Sequence, residues 1–245
     1  MRVKYSSVIH NKYIIENLCT HCHRDDVNDW NNNIKRDEDN PSMSLSNPFL
    51  QRLNELYQSF IKFDATQCDR IKRYRNIEPE SALFLAMQVR IQQSKKILEI
   101  GTSTGYSTLW LADAAKVTSA KVTTLEIDEQ RTLQAKHYAK ELQVDDVIDF
   151  WVGDAKVFLE QNQHKNYQEK YDFILLDAER DAYLDYWVYL QDMIQQKGGV
   201  LIVDNVISHA AEVKTFISEV KNDPRFMTTT LSIGAGLFII TFKND

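Results

Sequence analysis

Five short apolar runs punctuate the chain after Ser94, at Lys96 to Ile100, Lys121 to Ile127, Val147 to Val152, Tyr171 to Leu176 and Gly199 to Val203, with stretches of helical period between them. Strand and helix in alternation predict a parallel sheet with helical crossovers, an α/β fold of the doubly wound, Rossmann-like class. Two further runs, Met227 to Ile233 and Leu237 to Phe242, flank Gly234-Ala235-Gly236 and predict an antiparallel hairpin at the sheet edge. The expected sheet is therefore seven-stranded and mostly parallel. All seven glycines lie after residue 100, in the loops this reading requires.

Upstream of the sheet the period becomes helical. Pro48 suits a first helical position, and Phe49, Leu53, Leu56, Tyr57, Phe60 and Ile61 recur on one face. A later helix, Pro79 to Gln92, carries Leu83, Phe84, Met87 and Ile91 as a stripe expected to pack on the sheet. Residues 1–42 are rich in Asn and Asp and show no sustained period, so they read as a poorly ordered extension ahead of a single domain over 43–245. Within them Cys19, His21, Cys22 and His23 have the short spacing of a metal knuckle, but no second ligand pair follows at zinc-finger distance.

Bulk properties narrow the function classes. No apolar run is long enough to span a bilayer and the first ten residues lack a signal-type apolar core, which predicts a cytoplasmic protein with no membrane partner. Three cysteines without framework spacing fit a reducing compartment. A net charge of -6 argues against nucleic acid as a partner.

Each of the five parallel strands ends beside an acid: Glu99, Glu126, Asp154, Asp177 and Asp204. Ligands of open α/β sheets bind outside the carboxyl ends of the strands, and five converging acids need cations or hydrogen-bond donors to offset their repulsion. Any one of them alone reads equally as the cap of the next helix. The segment Glu99-Ile-Gly101-Thr-Ser103-Thr-Gly105-Tyr-Ser107 is a strand, a glycine-containing turn and a helix start. Its Gly-x-x-x-Gly spacing lacks the glycines of the dinucleotide fingerprint, so a pyrophosphate is poorly served. Glu126 stands 25 residues after Gly101, where a carboxylate accepts both hydroxyls of a ribose. Ribose without pyrophosphate points to an adenosyl ligand.

The same segment resembles the first motif of the cation-dependent O-methyltransferases, the caffeoyl-CoA and catechol O-methyltransferase group. The resemblance continues through Glu126, Gly153-Asp154-Ala155, the stretch from Leu176 to Tyr186, and Gly198 to Asn205, and covers roughly 47–243. It implies an S-adenosylmethionine-dependent enzyme that methylates a hydroxyl of a small phenolic or catechol-like molecule, and a chain that pairs as a homodimer. By position it implies that Gly101, Ser103 and Ser107 lie at the methionine end of the cofactor, Glu126 at the ribose and Asp154 at the adenine, with Glu99 and Ala155 also among the cofactor-binding residues. Asp177, Asp204 and Asn205 match the metal ligands, with Asp177 also beside the cofactor. Two carboxylates and an amide oxygen are a hard donor set, suited to Mg²⁺ and tolerant of Ca²⁺ or Mn²⁺. For Asp204-Asn205 a simple turn after the fifth strand is the competing reading.

The sequence departs from the family at the base. A lysine stands three residues after the first metal aspartate in the family, and Arg180 occupies that place here. A guanidinium stays protonated, so it cannot take the hydroxyl proton. Either Arg180 acts electrostatically, or His209 takes the proton, or the chain binds cofactor without turnover, as a non-catalytic or RNA-directed relative would. Tyr183, Tyr186, Trp187 and Tyr189 read chiefly as helix packing. A nicotinamide-dependent oxidoreductase is a further alternative, weakened by the missing glycines.

Overall fold

A computed structural model describes residues 47–163 and 169–243. The expected N-terminal extension and the Cys19 to His23 knuckle lie outside the described residues. The described chain forms two compact units that divide after Arg75.

The first unit is built on α1 (Pro48–Thr66), whose start is fixed by the Asn47 side chain accepting the Phe49 N–H at 2.9 Å and by proline in the first turn. Leu53, Leu56 and Phe60 are its buried residues, while Ile61, expected on that face, is 45% exposed. The Asp64 carboxylate accepts the N–H groups of Tyr74 and Arg75 at 2.7 and 2.9 Å, which turns the chain back so that the Tyr74 ring stacks on Phe63.

The second unit holds a seven-stranded sheet of order β3-β2-β1-β4-β5-β7-β6, as expected. Its strands are β1 (Lys96–Ile100), β2 (Lys121–Glu126), β3 (Ile148–Val152), β4 (Phe173–Leu176), β5 (Val200–Val203), β6 (Phe226–Leu231) and β7 (Leu237–Phe242). The first five run parallel, and β7 returns antiparallel between β5 and the edge strand β6. Strands β4 and β5 are buried at every residue, because helices cover both faces, whereas β3 and β6, at the two sheet edges, are mostly partly or fully exposed.

Several boundaries fall inside the expected ones. Ile127, placed in β2, is 73% exposed after the strand ends, and Val147 belongs to a single helical turn before β3. Tyr171 makes only an isolated bridge to Ile194, Gly199 precedes β5, and β6 stops at Leu231. Apolar character continues through such turns, so hydrophobicity overruns the hydrogen-bonded ladder.

The crossovers are α3 (Tyr106–Thr118), α4 (Glu129–Glu141), α5 (Ala155–Gln163), α6 (Tyr183–Met193) and α7 (Ala210–Asn222), with α2 (Pro79–Gln92) ahead of β1. The expected inward stripe of α2 is a correction. Ala82, Leu85, Ala86 and Val89 are buried, whereas Met87 and Ile91 are 50% and 74% exposed. Small alanines made the true inner face inconspicuous; they let α2 lie close against α3, itself buried almost all round. The chain runs from β1 outward to β3 and then returns to β4 on the other side, so the crevice between the β1 and β4 loops is the topological switch point.

Candidate active site at the carboxyl ends of the strands

The β1 loop opens the crevice. Gly101 (φ +107°) and Ser103 (φ +47°) take left-handed conformations, and Gly101 and Thr102 donate to the Leu125 carbonyl of β2 at 3.0 and 3.2 Å. Gly105 (φ +90°) starts α3 with no side-chain cap, which leaves first-turn N–H groups for a ligand. Ser107 lies buried in that first turn. Glu99 lies within β1, not beyond its end, and is fully buried. It accepts hydrogen bonds from Thr108 Oγ1 at 2.5 Å and Thr124 Oγ1 at 2.6 Å. Burial pushes its carboxyl up to about 7, with the hydroxyls of Ser107, Thr108 and Thr124 pulling the other way and Glu126 adding repulsion. Its Oε1 has no hydrogen-bond partner.

Glu126 closes β2 with its carboxylate fixed from both sides. Ser103 N–H donates to Oε2 at 2.7 Å and Asp128 N–H to Oε1 at 3.0 Å. Each oxygen keeps acceptor capacity toward the crevice. Asp154 is exposed and caps α5, its Oδ1 accepting the Lys156 N–H at 2.9 Å, so the capping alternative is realised for one of its oxygens. Ala155 is buried as the first residue of α5.

Asp177, Asp204 and Asn205 come together. The Asn205 amide donates to Asp177 Oδ1 at 3.1 Å and to Asp204 Oδ2 at 3.0 Å. Asp204 is fully buried and its Oδ1 has no hydrogen-bond partner. Burial foremost, then the charge of Asp177 and that of Glu78, hold the Asp204 carboxyl well above the usual range, with Asn205 N–H and Arg180 opposing. Asn205 sits at φ +66°, a left-handed conformation that swings its side chain between the two carboxylates. Two carboxyl groups sharing one amide, with a buried oxygen left over, form a donor set whose ionised state needs added positive charge. Turning the amide by half a rotation presents its oxygen, because N and O are equivalent in shape.

Arg180 is buried, and its Nε donates to Glu212 Oε2 at 2.7 Å while Nη2 is without a hydrogen-bond partner. Its charge acts on Asp204 and, through the hydrogen bond, holds the Glu212 carboxyl below the usual range. His209 precedes α7 and shares a 2.8 Å hydrogen bond between Nδ1 and Ser208 Oγ. Tyr183 and Trp187 pack edge-on against Phe216, and Tyr189 donates to Glu160 at 3.2 Å, so these rings serve packing; Tyr186 is half-buried.

Sequence reasoning missed Glu78, Asn76 and Glu212. Asn76 exchanges hydrogen bonds with Thr104 of the β1 loop at 2.9 and 3.2 Å. Glu78 was legible only as the residue before a helix-starting proline, and Glu212 only as an acid in a first turn, positions where carboxylates are common.

A family model described as O-methyltransferase matches residues 51–243. The chain belongs to the O-methyltransferase family. Its class, an S-adenosylmethionine-dependent O-methyltransferase, is the one expected, and a nicotinamide oxidoreductase is thereby set aside. The chain is 31% identical over 176 residues to caffeoyl-CoA O-methyltransferase of Medicago sativa, covering 64% of this chain and 70% of that protein. It is 29% identical over 189 residues to tapetum-specific methyltransferase 1 of Arabidopsis thaliana, covering 68% of this chain and 80% of that protein. Among solved structures, the Bacillus cereus O-methyltransferase in complex with SAH superposes with a TM-score of 0.66 at 26% identity, covering 79% of this chain and 91% of that one.

Proposed function

We propose that this O-methyltransferase transfers a methyl group from S-adenosylmethionine to a hydroxyl of a small phenolic or catechol-like substrate with the help of a divalent cation. The observation that carries the reading is the triad Asp177, Asp204 and Asn205, bound to one another within 3.1 Å around a buried carboxylate oxygen that has no partner. When bound, S-adenosylmethionine supplies an electrophilic methyl on a sulfonium. When bound, the cation, Mg²⁺ by its donor set, supplies Lewis acidity that lowers the pKa of a hydroxyl beside it.

The residues divide the remaining work. Glu99, Gly101, Ser103 and Ser107 surround the methionine end, Glu126 accepts the ribose hydroxyls, and Asp154 and Ala155 border the adenine. Asp177, with its backbone against the β1 strand end, joins the cofactor side to the cation side. Asp177, Asp204 and Asn205 would hold the cation and orient the substrate hydroxyl toward the cofactor's methyl group, with the hydroxyl proton leaving to solvent as the methyl is transferred. Arg180 contributes positive charge and cannot accept the proton. The fixed Glu126 carboxylate, the resemblance in sequence and the SAH-bound Bacillus cereus relative all support this assignment. A cytoplasmic location and a homodimer belong to the same proposal.

Calorimetric titration of the full chain with S-adenosylhomocysteine and with Mn²⁺, followed by mass-spectrometric turnover of a catechol panel, tests it. Cofactor binding, cation binding and a methylated catechol are expected. Cofactor binding with cation-independent turnover would remove the cation from the mechanism, and binding without any turnover would make the chain a non-catalytic relative.

A further inference from the structure

Asn205 takes a left-handed conformation at φ +66°, which asparagine tolerates better than most residues but does not fix by itself, so its backbone neighbours set how firmly it is held. The surroundings are the tip of the terminal hairpin. Immediately after Asn205, the Val206 N–H donates to the Gly236 carbonyl at 3.0 Å, and the N–H groups of Ile207 and Ser208 both donate to the Ala235 carbonyl at 3.0 Å. The contact leaves no slack: a Cβ on Gly236 would stand 2.4 Å from Ile207 Cγ1.

The tip is gripped in turn from its other side. The Ala235 N–H donates to Glu78 Oε2 at 3.3 Å, and Ser81 Oγ donates to the Ile233 carbonyl at 3.4 Å, both from the start of α2. A Cβ on Gly234 would stand 2.3 Å from Ser81 Oγ and 2.9 Å from Glu78 Oε2, so the turn and the helix start are in direct contact. Glu78 also places a third carboxyl group where its charge is felt at Asp204, a repulsion that its hydrogen bond at the hairpin tip helps to offset.

We propose that Glu78 is a positioning residue for the cation site. Its carboxylate fixes the hairpin tip, the tip fixes the backbone of 206–208, and that backbone holds Asn205 between Asp177 and Asp204. The inference rests on the cation reading above, and it places the working group of Glu78 at one acceptor oxygen toward Ala235, not at the cation.

The test uses the full-length protein, S-adenosylhomocysteine and Mn²⁺, with affinities from calorimetry and amide hydrogen exchange read at 206–208. Glu78→Ala is expected to weaken Mn²⁺ binding by about tenfold or more, as loss of a residue supporting a metal ligand does. It also speeds exchange at 206–208 and leaves S-adenosylhomocysteine affinity unchanged. Glu78→Gln keeps an acceptor for Ala235 and is expected to stay within about threefold of wild type, the worth of part of one hydrogen bond. Ser81→Ala, which removes the neighbouring contact, shifts exchange in the same direction and serves should Glu78→Ala fail to fold. Equal loss in the Gln and Ala variants would mean that Glu78 acts by charge, and would overturn the inference, as would unchanged Mn²⁺ affinity in both. If wild type takes up no Mn²⁺, it is the cation reading that fails; exchange at 206–208 then decides, with faster exchange in Glu78→Ala preserving the grip on Asn205 and unchanged exchange refuting it.

Discussion

The carbonyl oxygen of Asp177 lies 1.9 Å from where a Cβ on Gly101 would stand. The β1 and β4 loops therefore touch backbone to backbone at the switch point, and the cofactor side and the cation side of the crevice share one contact. Only glycine permits it, since φ at Gly101 is +107° as well.

Gly101→Ala is accordingly expected to cost about 3 kcal/mol or more, in the range of severe backbone clashes, and to weaken both ligands together. Urea unfolding and calorimetry measure the two effects. A cost below about 1 kcal/mol would show that the loops can part without penalty.

Glu99 supplies a pH signature. Its folded value of about 7 lies above the ordinary 4.5, so between them the native state keeps a proton that the unfolded state has lost. The unfolded chain then binds fewer protons, and stability must fall as pH rises through that window. The full effect is about 3 kcal/mol, complete by about pH 8. Glu99→Gln keeps acceptors for Thr108 and Thr124 but has no charge to desolvate, so its stability minus that of wild type should grow from pH 4.5 to 8. Parallel pH profiles for the two proteins would refute a buried, ionising Glu99.

Much of this arrangement was readable in advance, for physical reasons that differ by element. Strands β4 and β5 are apolar throughout because both faces are covered, and their short length between helical stretches marks them as strands even though the expected runs start earlier than the strands do; Asp177 and Asp204 follow them directly in sequence and so could be placed at the crevice. The inner face of α2 was misread because alanine carries little apolar signal, whereas Met87 and Ile91 carry much and face outward. Glu78 reaches the hairpin tip across 157 residues, and a contact of that separation leaves no local pattern. The pairing of Arg180 with Glu212 is hidden for the same reason.

Glu126 is held by two backbone N–H groups, which fixes its carboxylate before any ligand arrives. Glu126→Ala should weaken S-adenosylhomocysteine binding by about tenfold to a hundredfold, the loss of charge-assisted hydrogen bonds, while Mn²⁺ binding changes little. Calorimetry with each ligand separates the two; a uniform loss of both would mean the β1 loop had collapsed.

Arg180 and His209 make opposite predictions. Arg180 is buried against Glu212 with a charge felt at Asp204, so Arg180→Met should lower kcat by about tenfold or more, while Arg180→Lys, which keeps the charge, should lose less. His209 bonds to Ser208 at the start of α7, and His209→Gln should leave kcat within about twofold across pH 6 to 9. A pH-dependent fall in the His209 variant would make that imidazole the base.

Asp204 gives the sharpest test of the cation. Burial, Asp177 and Glu78 make its carboxyl hold a proton far above the usual range while no cation is near. A cation would compete with that proton, so apparent affinity should rise with pH and binding should release protons. Mn²⁺ titrations in two buffers of different ionisation enthalpy count the proton directly. Asp204→Asn removes both the charge and the linkage, and should cut affinity by at least about a hundredfold while leaving no proton to release. Tight Mn²⁺ binding that releases no proton in wild type, and survives in Asp204→Asn, would place the cation elsewhere in the chain and leave the buried oxygen of Asp204 without a role.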